Sequence, residues 1–200
     1  MNKISLAIPT HFSSKYLSIL LKSISNTELI SEIVISDDSN NLYEIENIKK
    51  IISKYQNSHI NFVFSQNLSN QGAFNNKYDV ISKCSNEIVY QIDSDNIAAK
   101  NLDMIISKII DNFDSSRIYY PATLKQFFQN YQYHLFPDKN IVRLSLDDKD
   151  INSYDVSTSI RNNEKITVDK NIYWILNCGN FIVSRNKYLE VMQSYYRNDS

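Results

Sequence analysis

The sequence is poor in the residues that build phosphate-binding loops and disulfide frameworks. Its 200 residues include only two glycines, three prolines and two cysteines. Two glycines are too few for the Gly-rich loop of P-loop proteins or the G-x-G-x-x-G turn of dinucleotide-binding folds. If the chain binds a diphosphate, we therefore expect a metal ion to supply most of the neutralising charge.

The two cysteines lie far apart, at Cys84 and Cys178, and neither belongs to a paired motif. This argues against a disulfide framework and favours a reducing compartment. The 21 basic and 22 acidic residues nearly cancel, so we expect no nucleic-acid partner and no polybasic membrane anchor. No signal-peptide pattern and no membrane-spanning apolar run is present. We expect a cytoplasmic protein, with any peripheral membrane association not visible in the sequence.

Apolar runs and stretches of helical spacing alternate four times in the first 113 residues. The predicted strands are 4–8, 32–36, 60–64 and 88–92. The alternation predicts an α/β fold with a mostly parallel central sheet and helices on both faces. The third helix is expected to carry Phe74, Tyr78, Ile81 and Cys84 on its apolar face. Further strands are predicted at 117–122 and 172–176, and a last helix at 187–196.

Polar residues follow each of the four strands. In a parallel sheet with right-handed crossovers, these strand ends meet at one edge, which is where α/β folds bind ligands. The segments expected there are Pro9-Thr10-His11, Asp37-Asp38, Asn70-Gln71-Gly72 and Asp93-Ser94-Asp95. His11 is either a ligand contact or an ordinary exposed loop histidine. The three histidines share no metal-ligand spacing, so zinc is not expected.

Asp93 and Asp95 end a buried strand, and residues two apart in an extended segment point the same way. Paired carboxylates of this kind suit Mg or Mn, which fill their remaining coordination positions with water and phosphate oxygens. The alternative is that both acids cap a helix or form a turn. Asp148 and Asp150 repeat the pattern inside a charged stretch with no preceding strand, so we interpret them as a solvated loop.

These residues resemble the signatures of family 2 glycosyltransferases of GT-A fold. The similarity lies in Ile8-Pro9-Thr10, in 33–39, in Asn70-Gln71-Gly72 with Asn75-Asn76, and in 87–95, which occur in the family's order. A thinner similarity covers 179–185, which resembles the stretch beside the family's acceptor. The resemblance implies one domain over 1–200, with a nucleotide-sugar-binding half at 1–122 and an acceptor-side half at 123–200.

The resemblance also implies an activity. Family members transfer a sugar from a nucleotide diphosphate, usually a uridine one, to a glycan or lipid-linked acceptor, typically with inversion. Cell-surface polysaccharide or glycoconjugate synthesis is the expected setting, with Mn or Mg as cofactor. By position, the sugar-donor contacts are Pro9, Thr10, His11, Asp38, Gly72, Asn76, Asp93, Ser94 and Asp95. Asp38 would meet the uracil edge, Asp93 the ribose or metal, and Asp95 the metal.

The sequence departs from the family pattern in two places. Phe74 and Asn75 stand where the family has a basic residue, a loss for which Lys77 is the nearby substitute. Asn177, Cys178 and Gly179 match the acceptor side, but the catalytic base that should follow is missing at its usual place. The acids after Gly179 are Glu190, which lies within a predicted helix, and Asp199, which is the candidate within the sequence. A base beyond residue 200 is the other possibility. In the latter case we expect slow transfer by residues 1–200 alone.

Two other functions remain open at this stage. A nucleotide-sugar-binding domain without turnover would show the same motifs, and a nucleotidyltransferase would share the sheet and the metal. The latter usually needs a Gly-rich basic loop after the first strand, and 10–16 contains no glycine and only Lys15. The aromatic segment 126–133 is either packed into the core or a wall on which a sugar stacks.

Overall fold

The computed structural model describes residues 3–56, 59–98, 101–119 and 180–198, with the side chains of the last helix followed to 193. The strands are β1 Ile4–Thr10, β2 Ile30–Asp37, β3 Asn61–Gln66, β4 Ile88–Gln91, β5 Ile118–Tyr119 and β6 Phe181–Ser184. The helices are α1 Ser14–Ile24, α2 Leu42–Tyr55, α3 Gly72–Ser82, α4 Leu102–Asp111 and α5 Arg185–Asn198. None of the helices in these ranges combines the length and the apolar character needed to cross a membrane.

The six strands form one sheet in the order β3-β2-β1-β4-β6-β5. The first four strands run parallel, and β6 pairs antiparallel with both β4 and β5. Every residue of β1 is buried, as expected for a central, mostly apolar parallel strand covered on both faces. The edge strand β3 is only partly buried, and its ends Asn61 and Gln66 are exposed.

The two faces of the sheet pack against different helices. Leu6 and Ile8 of β1 point into the larger core with α1, α2 and α4. Ala7, between them, points to the opposite face, where Val80 and Ile81 of α3 pack. This alternation along one strand is the period-two pattern of a sheet buried on both sides. The predicted α/β, mostly parallel GT-A sheet with helices on both faces is therefore confirmed.

The buried face of α3 differs from the predicted one at Phe74. The helix buries Asn76, Val80 and Ile81, while Phe74 is 52 % exposed. Asn76 and Val80 are one turn apart and share the face toward the sheet, whereas Phe74 lies on a different face of the helix. Cys84 follows the end of the helix at Ser82. It is buried as expected.

Several predicted features lie outside the described residues. They are the strand at 172–176, the aromatic segment 126–133, the Asp148 and Asp150 pair, the acceptor-side residues Asn177, Cys178 and Gly179, and the candidate base Asp199. The division of the chain at residue 122 stays a prediction for the same reason.

Candidate functional site

The strand register brings the polar strand ends to one edge of the sheet. Thr10 of β1 pairs with Asp37 of β2, which in turn pairs with Gln66 of β3. On the other side of β1, Ala7 pairs with Gln91 near the end of β4. Because β6 is antiparallel to β4, its first residue Phe181 lies beside Gln91. The residue before it, Asn180, therefore reaches the same edge.

Asp38 follows β2 and is almost fully buried, at 2 % exposure. Its Oδ1 accepts hydrogen bonds from the backbone N–H of Gln71 at 2.7 Å and from Asn67 Nδ2 at 3.0 Å. Its Oδ2 accepts one from the N–H of Gly72 at 2.9 Å. The N–H groups at a helix start have no partner within the helix, so Asp38 anchors the start of α3. A carboxylate has about four acceptor positions, so these three donors leave one unused, on Oδ2.

The loop that Asp38 anchors has a backbone conformation suited to glycine. Gly72 has φ +80°, in the left-handed region that side chains with a Cβ rarely adopt. Asn76, one turn further along α3, donates from Nδ2 to the carbonyls of Thr10 and Ser36, each at 3.2 Å. Asp38 and Asn76 together fasten α3 to the ends of β1 and β2.

A chain of hydroxyl groups joins the loop after β1 to the loop after β4. Thr10 Oγ1 lies 2.7 Å from Ser13 Oγ, which lies 2.6 Å from Ser94 Oγ. Ser94 is buried, so its hydroxyl lies inside the protein, within hydrogen-bond distance of Ser13. The Ser13 side chain forms no capping hydrogen bond with α1. The N–H of Ser14, at the start of the helix, donates to Glu44 Oε2 at 3.1 Å.

His11 and Phe12 form the exposed part of the loop after β1. His11 Nδ1 donates to the carbonyl of Asp38 at 3.0 Å, and its ring meets the Phe12 ring edge-on with centroids 4.8 Å apart. Phe12 has φ +49°, an uncommon conformation for a bulky side chain and one that functional loops often hold under strain. Pro9, by contrast, is buried in β1 beside Ser36.

Asp93 is held in place at three points. Its Oδ1 accepts a hydrogen bond from Gln91 Nε2 at 3.0 Å and forms an ion pair with Lys77 Nζ at 3.4 Å. Its backbone N–H donates to Asn180 Oδ1 at 3.2 Å. The sequence analysis did not single out Gln91 or Asn180. Gln91 could have been found, because a glutamine stands out in the otherwise apolar β4. Asn180 had no such signal, because its position depends on the antiparallel pairing of β6 with β4.

Asp95 is different, because no other described residue donates a hydrogen bond to its carboxylate. Loss of hydration near the surrounding protein raises its pKa, and the negative charge of Asp93 raises it further. A hydrogen bond from its own backbone N–H and the positive charge of Lys77 oppose this rise. Neither acid caps α4, whose N-cap residue is Asn101. Asp93 does begin a turn, since its carbonyl accepts the N–H of Asn96 at 3.0 Å.

The two carboxylates fit a divalent cation that takes most of its ligands from elsewhere. The described residues contain no cluster of three or more His, Cys, Asp or Glu side chains able to hold a metal. Mg and Mn sites commonly use one or two carboxylates and complete their shell with phosphate oxygens and water. The oxygen ligands of Asp93 and Asp95 therefore suit a cation that arrives with a phosphorylated ligand.

Asp37 is the fully buried acid of the edge. Its Oδ2 accepts a hydrogen bond from Ser39 Oγ at 2.6 Å, while Oδ1 has no partner among the described residues. Burial raises the pKa of Asp37 above its usual 3.8, more than the hydrogen bonds from Ser39 lower it. The charge of Glu44 adds to the rise and that of His11 opposes it.

This raised pKa predicts a pH-dependent effect of Asp37→Asn. An acid whose folded pKa is raised stabilises the fold while it is protonated and loses that contribution as pH rises through the folded pKa. The variant has no such charge to bury. Its free energy of unfolding relative to wild type should therefore increase over the pH range above about 4, as measured by urea denaturation. A relative stability that falls over this range would contradict the assignment.

Comparison with known proteins adds five findings. The family model described as Glycosyl transferase family 2 matches residues 5–189, and no curated protein matches the sequence. The structure of residues 1–349 of S. aureus TarS is 27 % identical over 59 % of this chain, with a TM-score of 0.49. A mannosyltransferase from Pyrobaculum calidifontis, in complex with GDP-Man and Mn²⁺, is 13 % identical over 59 %, with a TM-score of 0.50.

The chain spans only 34 % of the length of each of these two structures. A 4-diphosphocytidyl-2C-methyl-D-erythritol synthase from Anaerococcus prevotii is 14 % identical and covers 98 % of this chain and 76 % of its own, with a TM-score of 0.56. At this identity the likeness concerns the fold alone. The match of the family model over most of the chain is therefore the finding that bears on its classification.

Proposed function

Since the chain belongs to glycosyl transferase family 2, we propose that it transfers a sugar from a UDP-sugar to a glycan or lipid-linked acceptor in a metal-dependent, inverting reaction. The observation that supports this most is the open carboxylate of Asp95 beside the anchored Asp93. Cell-surface polysaccharide or glycoconjugate synthesis in the cytoplasm is the proposed setting.

In this proposal Asp93 and Asp95 hold Mn or Mg through their carboxylate oxygens. When bound, such a cation offsets the charge that develops on the leaving diphosphate. Pro9, Thr10 and His11 contact the nucleoside. Gly72 and Asn76 keep α3 in position through the contacts described above.

The remaining parts of the proposal concern residues with less structural support. Ser94 acts indirectly, through the hydroxyl chain that reaches Thr10. On the acceptor side we propose Asn177, Cys178 and Gly179, with Asp199 as the candidate base that deprotonates the attacking hydroxyl. All four lie outside the described residues, and their roles rest on the family resemblance.

No observation on the described residues favours nucleotidyl transfer over sugar transfer. The loop after β1 offers no glycine and a single lysine, Lys15. The Nζ of Lys15 lies 4.6 Å from the centroid of the Tyr16 ring, so this cation is engaged with an aromatic neighbour. A Gly-rich basic loop, which would neutralise a triphosphate substrate in such an enzyme, is missing here.

We expect UDP to bind in the presence of Mn, and more tightly than GDP, CDP or ADP. The open position on Asp38 Oδ2 accepts the N–H of uracil, whereas cytosine presents an acceptor at the same ring position. One hydrogen bond to a buried carboxylate corresponds to about a tenfold preference. Calorimetry with the four nucleotides, with and without Mn, measures it. Equal affinity for all four would rule out the proposed role of Asp38.

A second measurement separates transfer from binding alone. Release of UDP from UDP-sugars should accelerate when a suitable glycan or lipid-linked acceptor is added. Tight, metal-dependent binding of UDP without any such release would identify a nucleotide-sugar-binding domain that lacks turnover. The two functions predict the same calorimetry, so only this assay distinguishes them.

A further inference from the structure

Lys77 is the cation that α3 directs to the carboxylate pair. It follows Asn76, whose two hydrogen bonds fix this turn of α3 against β1 and β2. Lys77 Nζ lies 3.4 Å from Asp93 Oδ1, and the two side chains are 24 % and 31 % exposed. An ion pair at this distance and burial is stronger than a fully exposed one, because solvent screens it less.

Lys83, Arg185 and Lys15 have partners other than Asp93. Lys83, further along α3, pairs with Asp79 of the same helix. Arg185 Nη2 donates to the carbonyl of Ser82 at 2.7 Å, and Lys15 lies over Tyr16. Lys77 therefore supplies the positive charge at Asp93, and Gln91 supports the same carboxylate oxygen.

The ion pair changes what the carboxylates offer to a cation. Asp93 Oδ1 is engaged by both Lys77 and Gln91, which leaves Oδ2 and the open carboxylate of Asp95. Lys77 also reduces the net negative charge of the pair, so a free divalent cation is attracted less strongly. A diphosphate adds negative charge and oxygen ligands, and a lysine on its flexible stem can pair with a phosphate oxygen.

We propose that Lys77 is a positioning residue that makes cation binding depend on the diphosphate. Paired with Asp93, it weakens the binding of a cation by the two carboxylates alone. When a nucleoside diphosphate is present, Lys77 also pairs with phosphate oxygens. Its charge then opposes the cation less, and the two carboxylates bind the cation more tightly. This inference rests on the proposed function, because it requires a diphosphate and a metal at this edge.

The test is a Mn titration followed by the EPR signal of free Mn, with and without UDP, on wild type and variants. Lys77→Met and Lys77→Gln should bind Mn alone about fivefold more tightly than wild type. The factor by which UDP tightens Mn binding should fall by about tenfold in both. Lys77→Arg keeps the charge and should restore this factor. Lys83→Met, which removes an ion pair from the same helix, should leave both quantities unchanged.

The outcomes separate the inference from the proposed function. If wild type binds neither Mn nor UDP, the proposed function fails, and the inference fails with it. If wild type couples the two ligands and both Lys77 variants keep the same coupling, the inference alone is overturned. Weaker binding of Mn alone by the Lys77 variants would also overturn it. A purely structural lysine would lower the melting temperature without strengthening Mn binding, so thermal unfolding of each variant completes the comparison.

Discussion

Replacing Asp95 with alanine should abolish the metal-dependent binding of UDP and leave a weak metal-free binding unchanged. Its carboxylate is the one at the sheet edge that no other described residue occupies with a hydrogen bond, and the described chain has no Gly-rich phosphate loop to compensate. For the same reason, the substitution should hardly change the free energy of unfolding, since surface substitutions usually cost within about 0.5 kcal/mol. A Mn titration of UDP binding, paired with urea denaturation, measures both.

Two variants make this prediction specific. Asp93→Asn should be milder, because an amide oxygen still accepts the hydrogen bond from Gln91, although the ion pair with Lys77 is lost. The double variant Asp148→Asn with Asp150→Asn repeats the change in the other Asp-x-Asp sequence and should have no effect. If this double variant lost the metal effect while Asp95→Ala kept it, the cation would lie elsewhere, and the proposed site would be wrong.

The first four strands were predictable because their signal is local. β1 and β4 are mostly apolar, and β2 contains the apolar run Ile33-Val34-Ile35. Such runs are typical of strands covered on both faces, and each strand is followed by a helix of clear periodicity. The position of β6 was not predictable. The run Phe181–Ser184 indicates a strand, but its antiparallel pairing with β4 and β5 depends on contacts with residues far away in the sequence.

The same distinction applies to the candidate site. The sequence places Asp38, Asp93 and Asp95 at strand ends, and the structure brings those strand ends to one edge. The sequence could not indicate that Asp38 already accepts hydrogen bonds from the N–H groups of Gln71 and Gly72, since those partners lie two elements further along the chain. Likewise, the exposure of Phe74 follows from the orientation that Asn76 gives to α3, which a hydrophobic pattern does not record.

These contacts predict the second large effect, which is that of Asp38→Ala on the free energy of unfolding. Removing the carboxylate leaves the N–H of Gln71 without its acceptor. The N–H of Gly72 keeps only Asn70 Oδ1, and the Asn67 amide keeps only Asn76 Oδ1. Each buried group without a partner costs about 1–3 kcal/mol, and bonds to a charged acceptor are at the upper end. We therefore expect the free energy of unfolding to fall by about 2 kcal/mol, with or without UDP, as measured by urea denaturation.

Asn67→Ala is the matched control for this loss. It removes one of the three donors and leaves the carboxylate in place, so it should cost about 1 kcal/mol and keep the preference for UDP. If Asp38→Ala weakened UDP binding without lowering the stability, Asp38 would serve the ligand alone, and the anchoring of α3 would come from Asn76. If it lowered the stability and left the preference for UDP intact in the folded fraction, Asp38 would be a structural clamp. The expected result lies between these outcomes. Two hydrogen bonds to Asp38 hold the start of α3 and a third comes from Asn67, while the proposed function assigns the remaining acceptor position to a nucleobase.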